Sequence, residues 1–201
     1  MERAFQMSAF DEAYRETGGH EGGYANDPDD PGGETVFGVS RKHHPTWPGW
    51  KLVDEHKRSS LNFKARIASD QRIIDLAKAL FKSTYWDAVR GDELPENLAK
   101  ELYDTAVNMG PPVAVKFLQD ALNLLNNRGR SYADIEVDGI FGPATMQALK
   151  AYLAKFPPSR LLTVMNVLQG SRYIALMRGN PVNEKYVGWF NRVTLVLGGP
   201  Q

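Results

Sequence analysis

The fold class is decided by residues 95–125, which read PENLAKELYDTAVNMGPPVAVKFLQDALNLL. On each side of Gly110, apolar residues recur at intervals of three and four positions, which is the pattern of an amphipathic helix. Proline suits the first turn of a helix and glycine suits its end, so Pro95, Gly110 and Pro111 mark helix boundaries. The stretch therefore predicts two consecutive helices, each with one buried face.

The same helical pattern occupies most of the remaining chain. Further helices are predicted around Phe10–Tyr14, from Asp70 to Phe81, after Gly142-Pro143, after Pro157-Pro158 and from about Asn183 to Val193. Residues 22–59 differ, because they are rich in Gly, Pro and Asp and contain a single β-like run at residues 35–39. We expect a loop with a small hairpin there. The sequence thus predicts an all-α (mainly α) fold with a small loop/β-hairpin lobe.

Composition restricts the possible functions. Lys and Arg number 24, as do Asp and Glu, so no net charge draws the chain to nucleic acid or to an anionic membrane. The absence of cysteine excludes disulfides, thiol catalysis and cysteine-based zinc sites. The N-terminal residues lack the apolar core of a signal peptide, and no apolar run is long enough to span a bilayer. We expect neither nucleic acid binding nor membrane insertion.

The segment that carries chemistry is residues 20–35, HEGGYANDPDDPGGET. A zinc protease motif would need a second histidine at Tyr24. A calcium-binding loop starting at Asp27 would have Pro31 in place of a ligand and Gly38 in place of the bidentate glutamate. The glycine pairs do not fit the phosphate-binding loop motif either. We therefore predict no metal and no organic cofactor.

Carboxylates in this segment have the types and spacing that glycoside hydrolysis uses. A protonated acid donates to the glycosidic oxygen, while an ionised partner activates water or stabilises the transition state. Glu21, beside the end of a helix and close to Tyr24, suits the first role because partial burial raises the pKa of a carboxyl group. Asp30 or Asp29 suits the second role. The same residues are also typical of an ordinary surface turn, so the spacing permits a catalytic site without establishing one.

Many residues resemble the signature of glycoside hydrolase family 108, the N-acetylmuramidases of many phage and prophage endolysins. The matching elements are Glu21-Gly22-Gly23-Tyr24, Asn26-Asp27-Pro28, Asp30, Gly32-Gly33, Thr35, Tyr85-Trp86, the run Tyr103 to Gly110, Val137-Asp138-Gly139, and Gly188-Trp189 with Arg192. The resemblance covers nearly the whole chain. It implies a lysozyme-like two-lobe helical fold, with Glu21 as the catalytic acid. It also implies hydrolysis of the β-1,4 bond between N-acetylmuramic acid and N-acetylglucosamine.

A second part of the resemblance concerns the attacking water. A Glu, an Asp nine residues later and a Thr resemble the catalytic triad of phage-type lysozymes, which implies that Asp30 and Thr35 hold the water. Asp27 and Asp29 remain alternatives to Asp30. Residues 1–93 resemble the catalytic region of the family. Residues 94–201 resemble a peptidoglycan-binding domain, and we expect both regions to pack into one lysozyme-like body.

Three aromatic or basic residues are candidates for substrate binding. Tyr24 either lines the glycan site or packs the loop. Trp189 and Arg192, about one helical turn apart, can contact a glycan by ring stacking and hydrogen bonding. Trp189 at helical spacing also fits a core position.

The expected partner is the glycan strand of bacterial peptidoglycan. The resemblance implies an endolysin, made in the cytoplasm of the bacterial host, that acts on the cell wall and periplasm once a separate holin has opened the membrane. We expect a monomer. An antimicrobial effector exported by a dedicated machine is an alternative setting. Two rival functions remain open at this point: a lytic transglycosylase, and a non-catalytic peptidoglycan-binding or secretion-assisting protein of the same fold.

Overall fold

A computed structural model of the chain describes residues 7–18, 23–26, 32–59 and 61–194. Its helices are α1 (Ala9–Glu16), α2 (Gly49–Ser59), α3 (Phe63–Ser69), α4 (Gln71–Phe81), α5 (Glu96–Met109), α6 (Pro111–Leu125), α7 (Pro143–Leu153) and α8 (Pro158–Gly179). A π-helical turn, Lys82–Trp86, extends α4, and 3₁₀ segments cover Gly91–Glu93 and Pro181–Arg192. The prediction of a mainly α fold is confirmed.

A small antiparallel sheet has the strand order β1 (Tyr24–Ala25), β2 (Thr35–Val36) and β3 (Val39–Ser40). Phe37 and Gly38 connect β2 to β3, and both have positive φ, 46° and 79°. Two such residues in succession are typical of the tight turn that matches the twist of a hairpin. A Cβ at position 38 would also lie only 3.0 Å from Cζ of Phe81, a tight contact that glycine avoids. The predicted small hairpin is therefore present.

Three helical segments differ from the sequence prediction. The expectation of a loop throughout residues 22–59 is wrong at its end, where α2 begins at Gly49. This helix buries only Gly49, Trp50 and Val53, too few apolar positions to show a clear period. The unpredicted α3 has seven residues and buries Ile67 alone. The last predicted helix is instead the 3₁₀ segment Pro181–Arg192, interrupted at Tyr186, whose φ and ψ are −93° and 39°.

The chain forms two compact units, Met1–Asp87 and Ala88–Gln201. In the first unit, aromatic rings form much of the core: the Phe10 and Trp86 rings lie 5.6 Å apart, and those of Tyr14 and Phe81 lie 5.4 Å apart. Such ring pairs stabilise a core beyond the effect of their buried area.

Asp70 links two helices of the first unit. Its carboxylate accepts a hydrogen bond from the Arg72 backbone N–H at 3.1 Å, so it caps α4 as the sequence predicted. The other carboxylate oxygen lies 2.8 Å from Nε2 of His56 on α2. The Asp70 side chain therefore caps the N-terminus of α4 and connects that end of the helix to α2.

In the second unit, α5, α6 and α8 pack against one another, and α7 packs on α6. Gly110 separates α5 from α6 with a φ of 90°, a conformation that glycine adopts without strain. The packed faces carry the leucines that the sequence pattern predicted, among them Leu98, Leu102, Leu118 and Leu122, all fully buried. Among the described helices, none combines the length and the apolar character needed to cross a bilayer.

Candidate functional site

Residues 20–35, which we call the acidic segment, are described at 23–26 and 32–35, and both described parts are anchored to the small sheet of the first unit. The backbone N–H of Phe37 donates to the carbonyl of Gly23 at 3.4 Å. On the other side of the segment, the Ser40 hydroxyl donates to the carbonyl of Gly32 at 2.6 Å. Glu21 and Asp30 each stand two positions before one of these anchored glycines along the chain. Gly23 and Gly32, which lie on either side of residues 27–31 in sequence, are therefore both hydrogen-bonded to residues of one sheet or its turn.

The candidate carboxylates themselves, Glu21 and Asp30 with the alternatives Asp27 and Asp29, lie outside the described residues. The described part of the site is thus its frame, which contains Thr35 and the candidate binding residue Tyr24.

Thr35 occupies the central strand of the sheet. It pairs with Ala25 on one side and with Ser40 on the other, and its side chain is half-buried. The hydroxyl donates to the carbonyl of Gly33 at 3.2 Å. Since a hydroxyl has one donor and two acceptor positions, the oxygen retains the capacity to accept a hydrogen bond from water. Thr35 therefore has a fixed orientation beside the acidic segment.

Tyr24 is packed by the two helices that sequence reasoning missed. Its ring meets the ring of Phe63, on α3, edge to face at 5.0 Å between centroids. The ammonium groups of Lys57 and Lys64 lie 5.5 and 5.8 Å from the Tyr24 centroid, within the range of cation–π attraction. The structure thus places this aromatic ring against α2 and α3, next to two positive charges.

A network of charged residues braces the hairpin, and sequence reasoning did not find it. The Glu34 carboxylate lies 2.6 Å from Nε of Arg41 and 2.8 Å from Nζ of Lys57. Arg41 also donates to both carboxylate oxygens of Asp54, at 2.6 and 3.2 Å, and lies over the ring of Trp50 at 4.3 Å. The partners are up to 23 positions apart in sequence, so no local motif predicts these contacts.

The network has electrostatic consequences for each partner. The hydrogen bond from Arg41 holds the pKa of Asp54 below its usual value, and Asp54 in turn raises the pKa of Arg41. The Glu34 carboxylate raises the pKa of Lys57. Glu34 itself lies between two cations, and its side chain is 13% exposed. Both of its carboxylate oxygens are therefore engaged in bracing the hairpin.

The other two candidate binding residues belong to the 3₁₀ segment of the second unit. The ring of Trp189 stacks between those of Tyr173 and Tyr186, with centroid distances of 5.2 and 5.0 Å. Arg192 forms an ion pair with Asp104 on α5. Trp189 and Arg192 therefore contribute to packing within their own unit, while parts of both side chains remain exposed.

Two carboxyl groups on α5 have raised pKa values. Burial raises the pKa of Glu101, and the nearby charge of Asp104 adds to this effect. Burial also raises the pKa of Asp104, although Arg192 opposes the shift. Raised carboxyl pKa values are common at catalytic sites, but these two groups are held by partners within the second unit. Across the described ranges, no three His, Asp or Glu side chains converge as metal ligands would.

Comparison with known families identifies both halves of the chain. Residues 14–110 match the family described as Glycosyl hydrolase 108, and residues 113–194 match the one described as Predicted Peptidoglycan domain. Residues 14–110 are therefore a glycosyl hydrolase 108 region. The protein is a glycoside hydrolase that degrades peptidoglycan and acts on the cell wall. The predictions of family, enzyme class and peptidoglycan as partner are confirmed.

A solved structure is similar to this chain over most of its length. The protein is similar to Brucella abortus SagA, with 25% sequence identity and a TM-score of 0.58. The similarity covers 92% of this chain and 88% of that chain. Among curated protein sequences, none matches the chain.

The family boundary and the structural boundary of this hydrolase do not coincide. Helix α5 lies within the hydrolase match, residues 14–110, but packs against α6 and α8 in the second compact unit. The unit that contains the peptidoglycan match is therefore completed by a helix from the hydrolase match.

Proposed function

We propose that the chain hydrolyses the β-1,4 bond between N-acetylmuramic acid and N-acetylglucosamine, with Glu21 as the general acid. The observation that carries this proposal is the hydrolase match over residues 14–110, which includes the Glu21-Gly22-Gly23-Tyr24 element. The Gly23 anchor on the sheet supports it, because a catalytic acid must be held on a rigid element to meet the glycosidic oxygen. We assign catalysis to residues 1–93 and wall binding to residues 94–201.

The second part of the proposal concerns the water. Asp30, as a carboxylate, takes a proton from a water molecule that the Thr35 hydroxyl helps to orient, and the oxygen of this water forms the new bond to the anomeric carbon. Glu21 gives its proton to the departing sugar oxygen at the same time. An inverting reaction of this kind requires the two carboxyl groups to be ~6.5–9.5 Å apart, whereas ~5–5.5 Å would suit a covalent intermediate.

The charged network narrows the choice of the second carboxylate. Glu34 is the carboxylate adjacent to Thr35 in sequence, but its oxygens already contact Arg41 and Lys57. Asp54 is engaged by the Arg41 guanidinium through both oxygens. These contacts favour a carboxylate of the acidic segment, and we propose Asp30 before Asp27 and Asp29.

Tyr24, Trp189 and Arg192 are proposed as contacts to the glycan. Partial exposure of each side chain supports the proposal, since aromatic faces stack on sugar rings and guanidinium groups donate to sugar oxygens. The Arg192 pair with Asp104 would then orient the guanidinium for a ligand.

Digestion of purified peptidoglycan tests the reaction. Wild type, Glu21→Gln and Asp30→Asn are incubated with the polymer, and the fragments are identified by mass spectrometry. We expect reducing N-acetylmuramic acid ends from the wild type and none above background from Glu21→Gln. Anhydro ends would instead identify a lytic transglycosylase. Intact polymer with a folded wild type would contradict hydrolysis and favour a purely wall-binding protein.

The biological setting we propose is bacterial lysis by a monomeric endolysin, made in the host cytoplasm and admitted to the wall by a separate holin. The family resemblance supports this setting. Expression in a bacterium with and without a co-expressed holin tests it, with lysis expected only when both are present. Lysis without the holin would contradict the setting while leaving the reaction unaffected. Light scattering of the purified chain tests the monomer.

A further inference from the structure

The connection between α6 and α7 is an ordered loop that three amide side chains and a tyrosine hold in place through hydrogen bonds. Asn123 both donates to the carbonyl of Ile135 at 2.8 Å and accepts from its N–H at 2.9 Å. Asn126, only 2% exposed, accepts from the Gly129 N–H at 2.9 Å and donates to Asp134. Buried amides with their hydrogen bonds satisfied specify one conformation.

Two further side chains, Tyr132 and Gln119, also hydrogen-bond the connection to α6. Tyr132 donates its hydroxyl hydrogen bond to the Leu122 carbonyl at 2.8 Å. Gln119 accepts from the Gly139 N–H at 2.8 Å and donates to the Asp138 carboxylate at 2.8 Å. Residues 126–135, which we call the clamp loop, are thus fixed to α6.

The clamp loop stands away from α7 and leaves an apolar cavity of about 230 Å³ between them. Its α7 wall consists of Ala144, Ala148 and Ala151 with Gln147, which recur on one helix face, and its loop wall includes Tyr132 and Ile135. Alanines at these positions leave room that larger side chains would fill. The cavity has the size and polarity to receive methyl-sized groups rather than a sugar ring, which binds best on a broad aromatic face.

A second depression of about 580 Å³ lies on the other side of the clamp loop. Asp134 lines both depressions, and Arg128 lines the second. Within the described ranges Arg128 has no ion-pair partner, and its side chain is exposed. Asn127, Arg128 and Gly129 all have positive φ, between 58° and 73°, so the loop presents Arg128 from a fixed and strained backbone. The Arg128 cation therefore borders the second depression, whereas the Asp134 carboxylate borders both.

We propose that the clamp loop binds the stem peptide of peptidoglycan, and this inference rests on the proposed function. All residues that line the two depressions lie within the match to the Predicted Peptidoglycan domain, residues 113–194. Stem peptides combine alanine methyl groups, free carboxylates and the ammonium group of a diamino acid. The cavity takes a methyl group, Arg128 pairs with a carboxylate through its planar fork, and Asp134 pairs with the ammonium group. This distribution of charge fits a peptide and has no counterpart in an uncharged glycan.

Calorimetric titration of the full chain tests the inference with two probes. The first probe is the synthetic peptide L-Ala-γ-D-Glu-L-Lys-D-Ala, which contains no glycosidic bond, and the second is a peptide-free chitin oligosaccharide. We expect the wild type to bind the peptide. Arg128→Gln should weaken this binding about tenfold, because a charge-assisted pair is lost. Ala144→Leu, at an exposed position on the cavity wall, should weaken it as well.

Two residues of the same connection serve as matched controls. Arg130 and Glu136 are exposed and line neither depression, so Arg130→Gln and Glu136→Gln should bind the peptide as the wild type does. Equal losses in Arg128→Gln and Arg130→Gln would overturn the inference, because they would indicate a general charge effect. A second outcome would also overturn the inference: the wild type binds the oligosaccharide but not the peptide, and Ala144→Leu abolishes the oligosaccharide binding. That result would assign the cavity to glycan.

The test separates this inference from the enzymatic proposal. Failure of the wild type to bind the peptide, with Glu21-dependent digestion of peptidoglycan intact, overturns only the peptide site. Peptide binding that depends on Arg128, in a chain that digests nothing, supports the site and contradicts the catalytic proposal.

Discussion

Two contacts, one between backbones and one between side chains, join Glu34 and Arg41 across the open end of the β2–β3 hairpin. The Arg41 backbone N–H donates to the Glu34 carbonyl at 2.8 Å, and the two side chains form an ion pair at 2.6 Å. Because β2 begins one residue after Glu34 and β3 ends one residue before Arg41, this double closure fixes the strand that carries Thr35.

Glu34→Gln should lower the free energy of unfolding by ~1–2 kcal/mol, since a half-buried ion pair with Arg41 is lost and Lys57 loses its partner. Digestion of peptidoglycan should slow several-fold but persist, because Glu34 positions the hairpin and transfers no proton. Urea unfolding and initial rates measure the two effects. The matched control is Glu93→Gln, whose pair with Arg90 is exposed and should matter little. Complete loss of digestion in folded Glu34→Gln would contradict the positioning role.

Thr35→Val removes the hydroxyl while preserving the branched shape of the side chain. If the hydroxyl orients the attacking water, kcat should fall by ~10²-fold with little change in KM. Thr35→Ser keeps the hydroxyl and should recover most of the rate. Steady-state kinetics on soluble glycan fragments distinguishes the two variants. Equal activity losses in both, matched by equal losses of stability, would indicate a structural role for Thr35.

Asp70→Asn tests the link between α2 and α4. Arg72 and His56 hold the pKa of Asp70 far below its usual range. A lowered folded-state pKa stabilises the fold above the unfolded value of about 3.9, and this stabilisation is lost as the pH falls towards the folded-state pKa. We expect Asp70→Asn to cost ~1–2 kcal/mol at neutral pH and progressively less as the pH falls below the unfolded value of about 3.9.

Urea unfolding of Asp70→Asn and wild type at several pH values measures this difference. Asp75→Asn is the control, because Asp75 is exposed on the same helix and accepts a hydrogen bond from the side chain of Gln71. A cost for Asp70→Asn that does not change with pH would refute the electrostatic part of the argument.

Glu101→Gln should stabilise the second unit at neutral pH. Burial and the charge of Asp104 raise the pKa of Glu101, so the folded state holds its proton more tightly than the unfolded chain does. With a raised pKa, stability is greatest below the unfolded value of about 4.3 and declines as the pH rises through the folded-state pKa. Glutamine is neutral throughout, so its advantage should appear at neutral pH and disappear near pH 4.

Thermal unfolding at the two pH values measures the effect, and Glu96→Gln, at an exposed pair with Lys100 on the same helix, is the control. A lower unfolding temperature for Glu101→Gln at neutral pH would show that the carboxylate is needed as an acceptor.

The helices predicted most accurately are those whose boundaries are local in sequence. Asp70 caps α4, Pro111 begins α6 and Pro143 begins α7, because a cap or a fixed φ acts within one helical turn. Helix α2 was missed because it depends on tertiary contacts. Its two buried large side chains, Trp50 and Val53, make too short a pattern to distinguish a helix from an irregular loop.

In the candidate site, too, local features were predicted from the sequence and long-range contacts were not. The acidic segment, with Thr35, was predicted as a catalytic site because its chemistry lies in one continuous stretch. The ion pairs that brace it join Glu34 to residues seven and 23 positions away, and such contacts exist only after the chain has folded. The clamp loop was equally hidden, since the cavity depends on small residues of α7 opposite Tyr132 and Ile135.

The placement of α5 decides where this enzyme can be cut and rejoined. A chimera that exchanges wall-binding modules at the gap between the two family matches, residues 110 and 113, would take α5 away from α6 and α8. The transplanted module would then expose leucine side chains that α5 normally covers, and aggregation would follow. A junction near Ala88 keeps the three helices together, so modular engineering of this hydrolase should follow the compact units rather than the family boundaries.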